Sequence, residues 1–173
     1  MPGSFGIFKK EIRGWICSNF NKNAKILDVG AGCGTYYNLL CDKFENIDCV
    51  EVFKPYIDKF GLSGKYKNVF NCNIFGFEYD FYNLIIFGDV IEHLTVDDAK
   101  KVLEYARKRC DNMIVAVPYM YEQGVCEDNV YEIHKQPDLT KKNVVERYPF
   151  LSILYGNDRY GYYIKRNEQT EIS

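Results

Sequence analysis

The chain has 173 residues, 47% of them hydrophobic, and a formal net charge of −2. That length and apolar content fit one globular domain with a full core and exclude a disordered chain. The charge balance gives no electrostatic argument for a nucleic-acid footprint, and no apolar run is long enough to span a bilayer.

Residues 5–20 place Phe8, Ile12, Trp15, Ile16 and Phe20 at helical spacing, which predicts a first amphipathic helix. Lysines interrupt this stretch, so it does not read as a signal peptide. "AKILDVG" at 24–30 reads as a buried strand ending on glycine, and "TYYNLLCDKF" at 35–44 as a helix with Tyr36, Leu39, Leu40 and Phe44 on one face. A second short strand follows at 47–53. A short helix at 54–61 has Pro55 near its first turn and Gly61 after its end. "NVFNCNI" at 68–74 is a third strand. "LIIFGDV" at 84–90 is a fourth, with the unbroken apolar run of a strand covered on both faces.

"LTVDDAKKVLEYARKRC" at 94–110 is the clearest helix. Thr95 is its predicted N-cap, Asp97 and Asp98 suit the positive end of the dipole, and Ala99, Val102, Leu103 and Ala106 form the inner stripe. A fifth strand is expected at 112–119, a long polar loop at about 120–138 and a helix at 139–149. Two strand-like runs flank "GND" within 150–166 and predict a closing hairpin. The expected organisation is one domain over 1–173: an N-terminal helix within 1–22, a core over 24–166 and a frayed tail over 167–173. Strands alternating with helices imply a Rossmann-like three-layer α/β sandwich. Its seven-stranded sheet would be mostly parallel, with a C-terminal antiparallel hairpin.

The seven cysteines form no C-x-x-C pair, which points to reduced thiols and a cytoplasmic setting. With only His93 and His134 as imidazoles, no metal site is expected.

The chemistry sits in "ILDVGAGCG". Gly30, Gly32 and Gly34 follow the first strand, at the carboxyl end where α/β sheets bind ligands. The dinucleotide pattern G-x-G-x-x-G requires glycine at position 35, where Thr35 stands, and no P-loop lysine follows. The loop therefore fits a nucleoside with an attached chain better than a pyrophosphate. Glu51, at the end of the second strand, is placed to accept hydrogen bonds from both ribose hydroxyls.

Taken together, "ILDVGAGCG", Glu51 closing "IDCVEV", and "LIIFGDVIEHL" resemble the class I S-adenosylmethionine-dependent methyltransferases. The likeness is greatest to the group with a D-V-I-E-H-L-type segment after the fourth strand. It covers residues 24–117 by motif and extends to about 166 by order of elements. The resemblance implies S-adenosyl-L-methionine as cofactor and S-adenosyl-L-homocysteine as product. Asp28, Gly30, Ala31 and Gly32 would lie along the methionine part, and Glu51 would bind the ribose. Val52 or Phe53 would pack on the adenine, with Asn73 and Ile74 where the family often has an acidic residue near the adenine amino group. Asp89 and Val90 would close the methionine or ribose side.

Methyl transfer from a sulfonium needs a positioned acceptor and exclusion of water, with a base if the acceptor is a hydroxyl. His93 directly follows the fourth strand, in a segment where the family's Glu-His pair often has only a structural role; Glu92 stands with it. His134 and Glu132 lie in the loop at 119–138, which carries Glu122, Glu127, Asp128, Glu132 and Asp138 against one lysine, with Tyr119, Tyr121 and Tyr131. Long loops of this kind commonly carry function. This loop and the N-terminal helix are expected to cover the acceptor. Its acidity, and the absence of N-P-P-Y-like and Pro-Cys segments, argue against nucleic-acid methylation. A small-molecule or sugar acceptor is expected and a protein acceptor is open, with O-methylation slightly favoured. The competing readings are a non-catalytic subunit that keeps the fold as a scaffold and a nucleotide-dependent oxidoreductase.

Overall fold

The computed structural model of the chain describes residues 3–165. The tail expected at 167–173 lies outside the described residues, as do Met1, Pro2 and Arg166. Seven strands form one sheet: β1 (Ile26–Val29), β2 (Ile47–Val50), β3 (Val69–Phe70), β4 (Tyr82–Gly88), β5 (Cys110–Pro118), β6 (Leu151–Gly156) and β7 (Tyr160–Lys165). Their order is β3-β2-β1-β4-β5-β7-β6. The first five run parallel, and β7 pairs antiparallel with both β5 and β6. This is the expected α/β sheet with its closing hairpin.

Helices cover both faces because neighbouring strand residues point to opposite sides. On one face Ile26, Leu84, Ile86, Ile114 and Ala116 pack with residues of α1 (Lys9–Asn19), α2 (Thr35–Leu40) and α3 (Lys54–Lys59). On the other, Leu27, Val29, Ile85, Phe87, Met113 and Val115 pack with α4 (Val96–Arg107) and α5 (Lys141–Arg147). Leu84 through Phe87 have no exposed surface, which explains their uninterrupted apolar run. The Thr95 hydroxyl caps α4 by accepting from the Asp98 N–H at 3.2 Å.

Most elements are shorter than the sequence predicts, and three of the differences bear on the core and the site. The first helix starts at Lys9, because Phe8 adopts a left-handed φ of 58° and sends residues 3–5 away from the helix axis. The helix expected over 35–44 ends at Leu40, although Phe44 still reaches the core through the following turn. The strand expected over 68–74 is only Val69–Phe70. Beyond it the Asn71 side chain takes the Glu51 and Val52 carbonyls at 2.8 and 3.2 Å, in place of a backbone ladder. Among the described residues no helix is long and apolar enough to cross a membrane. All seven cysteines are free thiols.

Candidate active site

The glycine loop turns sharply out of β1. Gly30, Gly32 and Gly34 hold φ values of 67°, 52° and 82°, a region that side chains strain to enter. At Gly30 a Cβ would also come within 2.8 Å of Val90 Cγ2. The loop is then locked to β2. The Gly30 N–H donates to the Val50 carbonyl at 2.8 Å. The Glu51 carboxylate accepts from the Gly32 N–H at 2.9 Å and from the Phe53 N–H at 2.8 Å. Glu51 is buried, which raises its pKa, and these two amides oppose the rise. The Val52 amide adds to this opposition, and a carboxylate, with about four acceptor sites, still has capacity for a ligand.

The loop opens on a cavity of about 590 Å³ at the carboxyl end of the parallel strands. Of the residues predicted to bind cofactor, Gly30, Gly32, Glu51, Val52, Asn73, Ile74, Asp89 and Val90 line it. Asp28 and Ala31 lie behind the wall. Asp28 is buried and accepts from the Tyr66 hydroxyl at 2.5 Å; burial pushes its carboxyl up to about 7, opposed by that bond and by Lys9. Ala31 joins the core. The Phe53 ring stacks edge-on against Tyr56 with centroids 4.8 Å apart. The Asn73 carbonyl oxygen already accepts from the Phe75 N–H at 3.1 Å, leaving the amide NH2 as its donor.

Asp89 leaves β4 with a left-handed φ of 59°. Its Oδ2 accepts from the Phe5 N–H at 3.1 Å, while Oδ1 is shut off from solvent without a partner. Burial raises this carboxyl's pKa against the opposing pull of Ser4 and Lys9. Lys9 is itself held among hydroxyls, donating to Tyr36 at 3.0 Å and Tyr162 at 2.7 Å; burial lowers its ammonium to about 8. Gly3, Ser4 and Phe5 thus wall the cavity, and the Phe5 ring meets Tyr121 edge-on at 5.5 Å. The start of the chain and the loop after β5 meet over the site. No local sequence signal marks Ser4 or Phe5 for this role.

The predicted acceptor-side residues His93, Glu132 and His134 also line the cavity, together with Glu92. Glu92 and His93 lie on a short turn, Ile91–His93, directly after β4. The 119–138 loop is pinned to that turn. The Lys135 and Gln136 N–H groups donate to the Glu92 carbonyl at 2.8 and 3.0 Å. Gln136 Nε2 donates to the Ile91 and Leu94 carbonyls at 2.8 and 3.1 Å, and its Oε1 accepts from the Tyr148 hydroxyl at 2.9 Å. Sequence reasoning missed Gln136 because its partners are tertiary. The result is that the two imidazoles, from distant parts of the chain, stand edge to face with centroids 4.7 Å apart.

Burial lowers the pKa of both histidines, that of His93 to about 4, so they are neutral near pH 7. The His134 Nδ1–H donates to the Tyr121 carbonyl at 2.7 Å, which leaves the Nε2 lone pair free. Burial raises Glu92 well above the ordinary carboxylate range, and the nearby Asp89 and Glu132 carboxylates add to the rise.

No protein-family model matches this sequence, and no characterised protein is found by sequence similarity. Solved structures do match. The DhpI–SAM–HEP complex superposes with a TM-score of 0.70 at 12% identity, covering 94% of this chain and 89% of that one. The magnesium protoporphyrin IX methyltransferase ChlM from Synechocystis PCC 6803 with bound SAM gives 0.64 at 11%, covering 91% and 78%. The methyltransferase domain of bacterial CtHen1 gives 0.64 at 18%, covering 91% and 96%. With its sheet order, its antiparallel hairpin and its glycine loop facing a strand-end cavity, the chain has the class I S-adenosylmethionine-dependent methyltransferase fold.

Proposed function

We propose that this protein is an S-adenosylmethionine-dependent methyltransferase. It transfers the methyl group by in-line displacement to a small-molecule, sugar or protein acceptor, with a hydroxyl favoured. One observation carries the reading: the Glu51 carboxylate and the Gly32 amide are joined at 2.9 Å on the rim of the strand-end cavity. The free lone pairs of Glu51 accept the ribose hydroxyls. Gly30 and Gly32 let the backbone lie against the methionine chain. Val52 and Ile74 flank the adenine, and the Asn73 NH2 donates to a ring nitrogen. Asp89 and Val90 bound the sulfonium side. Asp28 and Ala31 act from behind, shaping the loop.

In the transfer the acceptor oxygen bonds to the methyl carbon as the carbon–sulfur bond breaks. The sulfonium becomes a neutral thioether, leaving S-adenosyl-L-homocysteine. The chain supplies alignment and dryness. Phe5 and Tyr121 close over the cavity, and His93, His134 and Glu132 face the acceptor. Neutral imidazoles there suit a hydroxyl, which must lose its proton as the bond forms.

Calorimetry with S-adenosyl-L-methionine and S-adenosyl-L-homocysteine tests the reading. Saturable binding of both is expected, and methyl transfer in a screen of hydroxyl-bearing acceptors. Absence of heat and of any thermal shift supports the scaffold reading instead.

A further inference from the structure

We infer that Glu92, His93 and His134 form a binding site for a divalent transition-metal cation on the acceptor side of the cavity. One donor atom from each of the three lies within 4.8 Å of the others. Three features make this more than a chance cluster. Glu92 is 1% exposed, yet neither carboxylate oxygen has a hydrogen-bond partner. A buried polar group left in that state is costly unless something else satisfies it. His93 Nδ1 is likewise buried and unpartnered. The His134 Nδ1–H is committed to the Tyr121 carbonyl at 2.7 Å, the outer-sphere bond that fixes a ligating imidazole's tautomer and aims its other nitrogen.

The surroundings agree. Asp89 and Glu132, the charged groups acting on Glu92, are both acidic. A cation there would favour ionisation of these crowded carboxyl groups and offset their mutual repulsion. The turn that carries Glu92 and His93 is held to the His134 loop by four hydrogen bonds, from Lys135 N, Gln136 N and twice from Gln136 Nε2. The donors are thus positioned by main-chain contacts and not by one another.

Two nitrogens and one carboxylate suit manganese, iron, cobalt or zinc, and not calcium or magnesium, which take mainly oxygen. Bonds of about 2.0–2.2 Å require the three side chains to draw in by roughly 1 Å, within rotamer adjustment. Three protein ligands leave at least one coordination position open, as in catalytic and not structural sites. All three residues line the cavity, so an acceptor oxygen could occupy that position. The imidazoles would then serve as ligands and not as bases. Binding of the ion does not depend on the methyl-transfer reading.

The test is a cobalt(II) titration of chelator-treated protein, followed by calorimetry and by the visible ligand-field absorption. One equivalent should bind with an imidazole-type spectrum. Glu92→Gln and His134→Ala should each weaken binding at least tenfold, while calorimetry shows S-adenosyl-L-homocysteine still binding. No saturable cobalt binding at millimolar concentration, or equal affinity in both variants, overturns the inference. A thiolate-type spectrum, reporting the cysteines, also overturns it. If a variant fails to fold, manganese broadening of the two histidine imidazole resonances in the unaltered protein decides: both must broaden first. Cofactor binding without cobalt binding sinks this site alone. Cobalt binding without cofactor binding sinks the methyltransferase reading alone.

Discussion

Glu51→Gln separates the two roles assigned to this carboxylate. Glu51 is 5% exposed and accepts the Gly32 N–H at 2.9 Å and the Phe53 N–H at 2.8 Å. A glutamine has one carbonyl oxygen, so it can keep one of these bonds. Its NH2 then faces the other N–H, donor against donor. A charge-assisted hydrogen bond contributes about 1.5–3 kcal/mol. The neutral amide costs less to bury than the carboxylate, which offsets part of that loss. A net destabilisation of about 1–2 kcal/mol follows, equivalent to roughly 2–8 °C in Tm for a chain of this size. Under the proposed function the cofactor would lose its anionic ribose partner as well, so affinity for S-adenosyl-L-homocysteine should fall about 10- to 100-fold. Differential scanning calorimetry reads the first effect and isothermal titration the second. A variant with unchanged Tm and unchanged affinity refutes both the clamp and the ribose assignment. A lowered Tm with full affinity refutes the ribose assignment alone.

Gln136→Leu should cost about 2–4 kcal/mol in a urea melt, because it strands the Ile91 and Leu94 carbonyls and the Tyr148 hydroxyl inside the protein; a loss under about 0.5 kcal/mol rules out the pin. Gly88→Ala places a Cβ 2.0 Å from the Tyr36 ring and should destabilise by about 1–3 kcal/mol, with the Tyr36 fluorescence environment disturbed; a neutral variant shows that Tyr36 can move aside. Asp28→Asn should alter the pH dependence of stability. The Asp28 carboxyl is raised by burial to about 7, so the native state holds a proton that the unfolded chain releases. Its stabilising contribution is full below about pH 4 and is lost as pH rises through about 7, by up to about 4 kcal/mol. The Tm of the natural protein relative to Asp28→Asn should therefore fall across that window, and a constant difference contradicts a raised Asp28.

The sheet and its glycine loop were legible in the sequence because both rest on local rules. An unbroken apolar run marked β4, short apolar stretches marked β1 and β5, and Thr95 with Asp97 and Asp98 marked the start of α4. Glu51 was found because its distance from the loop follows from strand and helix lengths. Side chains that replace backbone structure were not legible. Asn71 ends β3 by taking two carbonyls of the neighbouring segment, and the left-handed Phe8 turns three residues aside to wall the cavity. The Glu92–His93–His134 grouping was equally hidden. Counting ligands along the chain cannot reveal it, because Gln136 brings the two histidines together through carbonyls that carry no sequence signature.

Ser4 meets Tyr160 at 3.2 Å across a sequence separation of 156 residues. A wall made by joining segments so far apart in sequence is complete only once the β6–β7 hairpin exists. A nascent chain that has not yet made β7 contains the glycine loop and Glu51 but lacks Tyr160, and so the finished chamber. Contacts of such long range form late and slowly. Synthesis therefore makes the glycine-loop side of the chamber before the wall that encloses it.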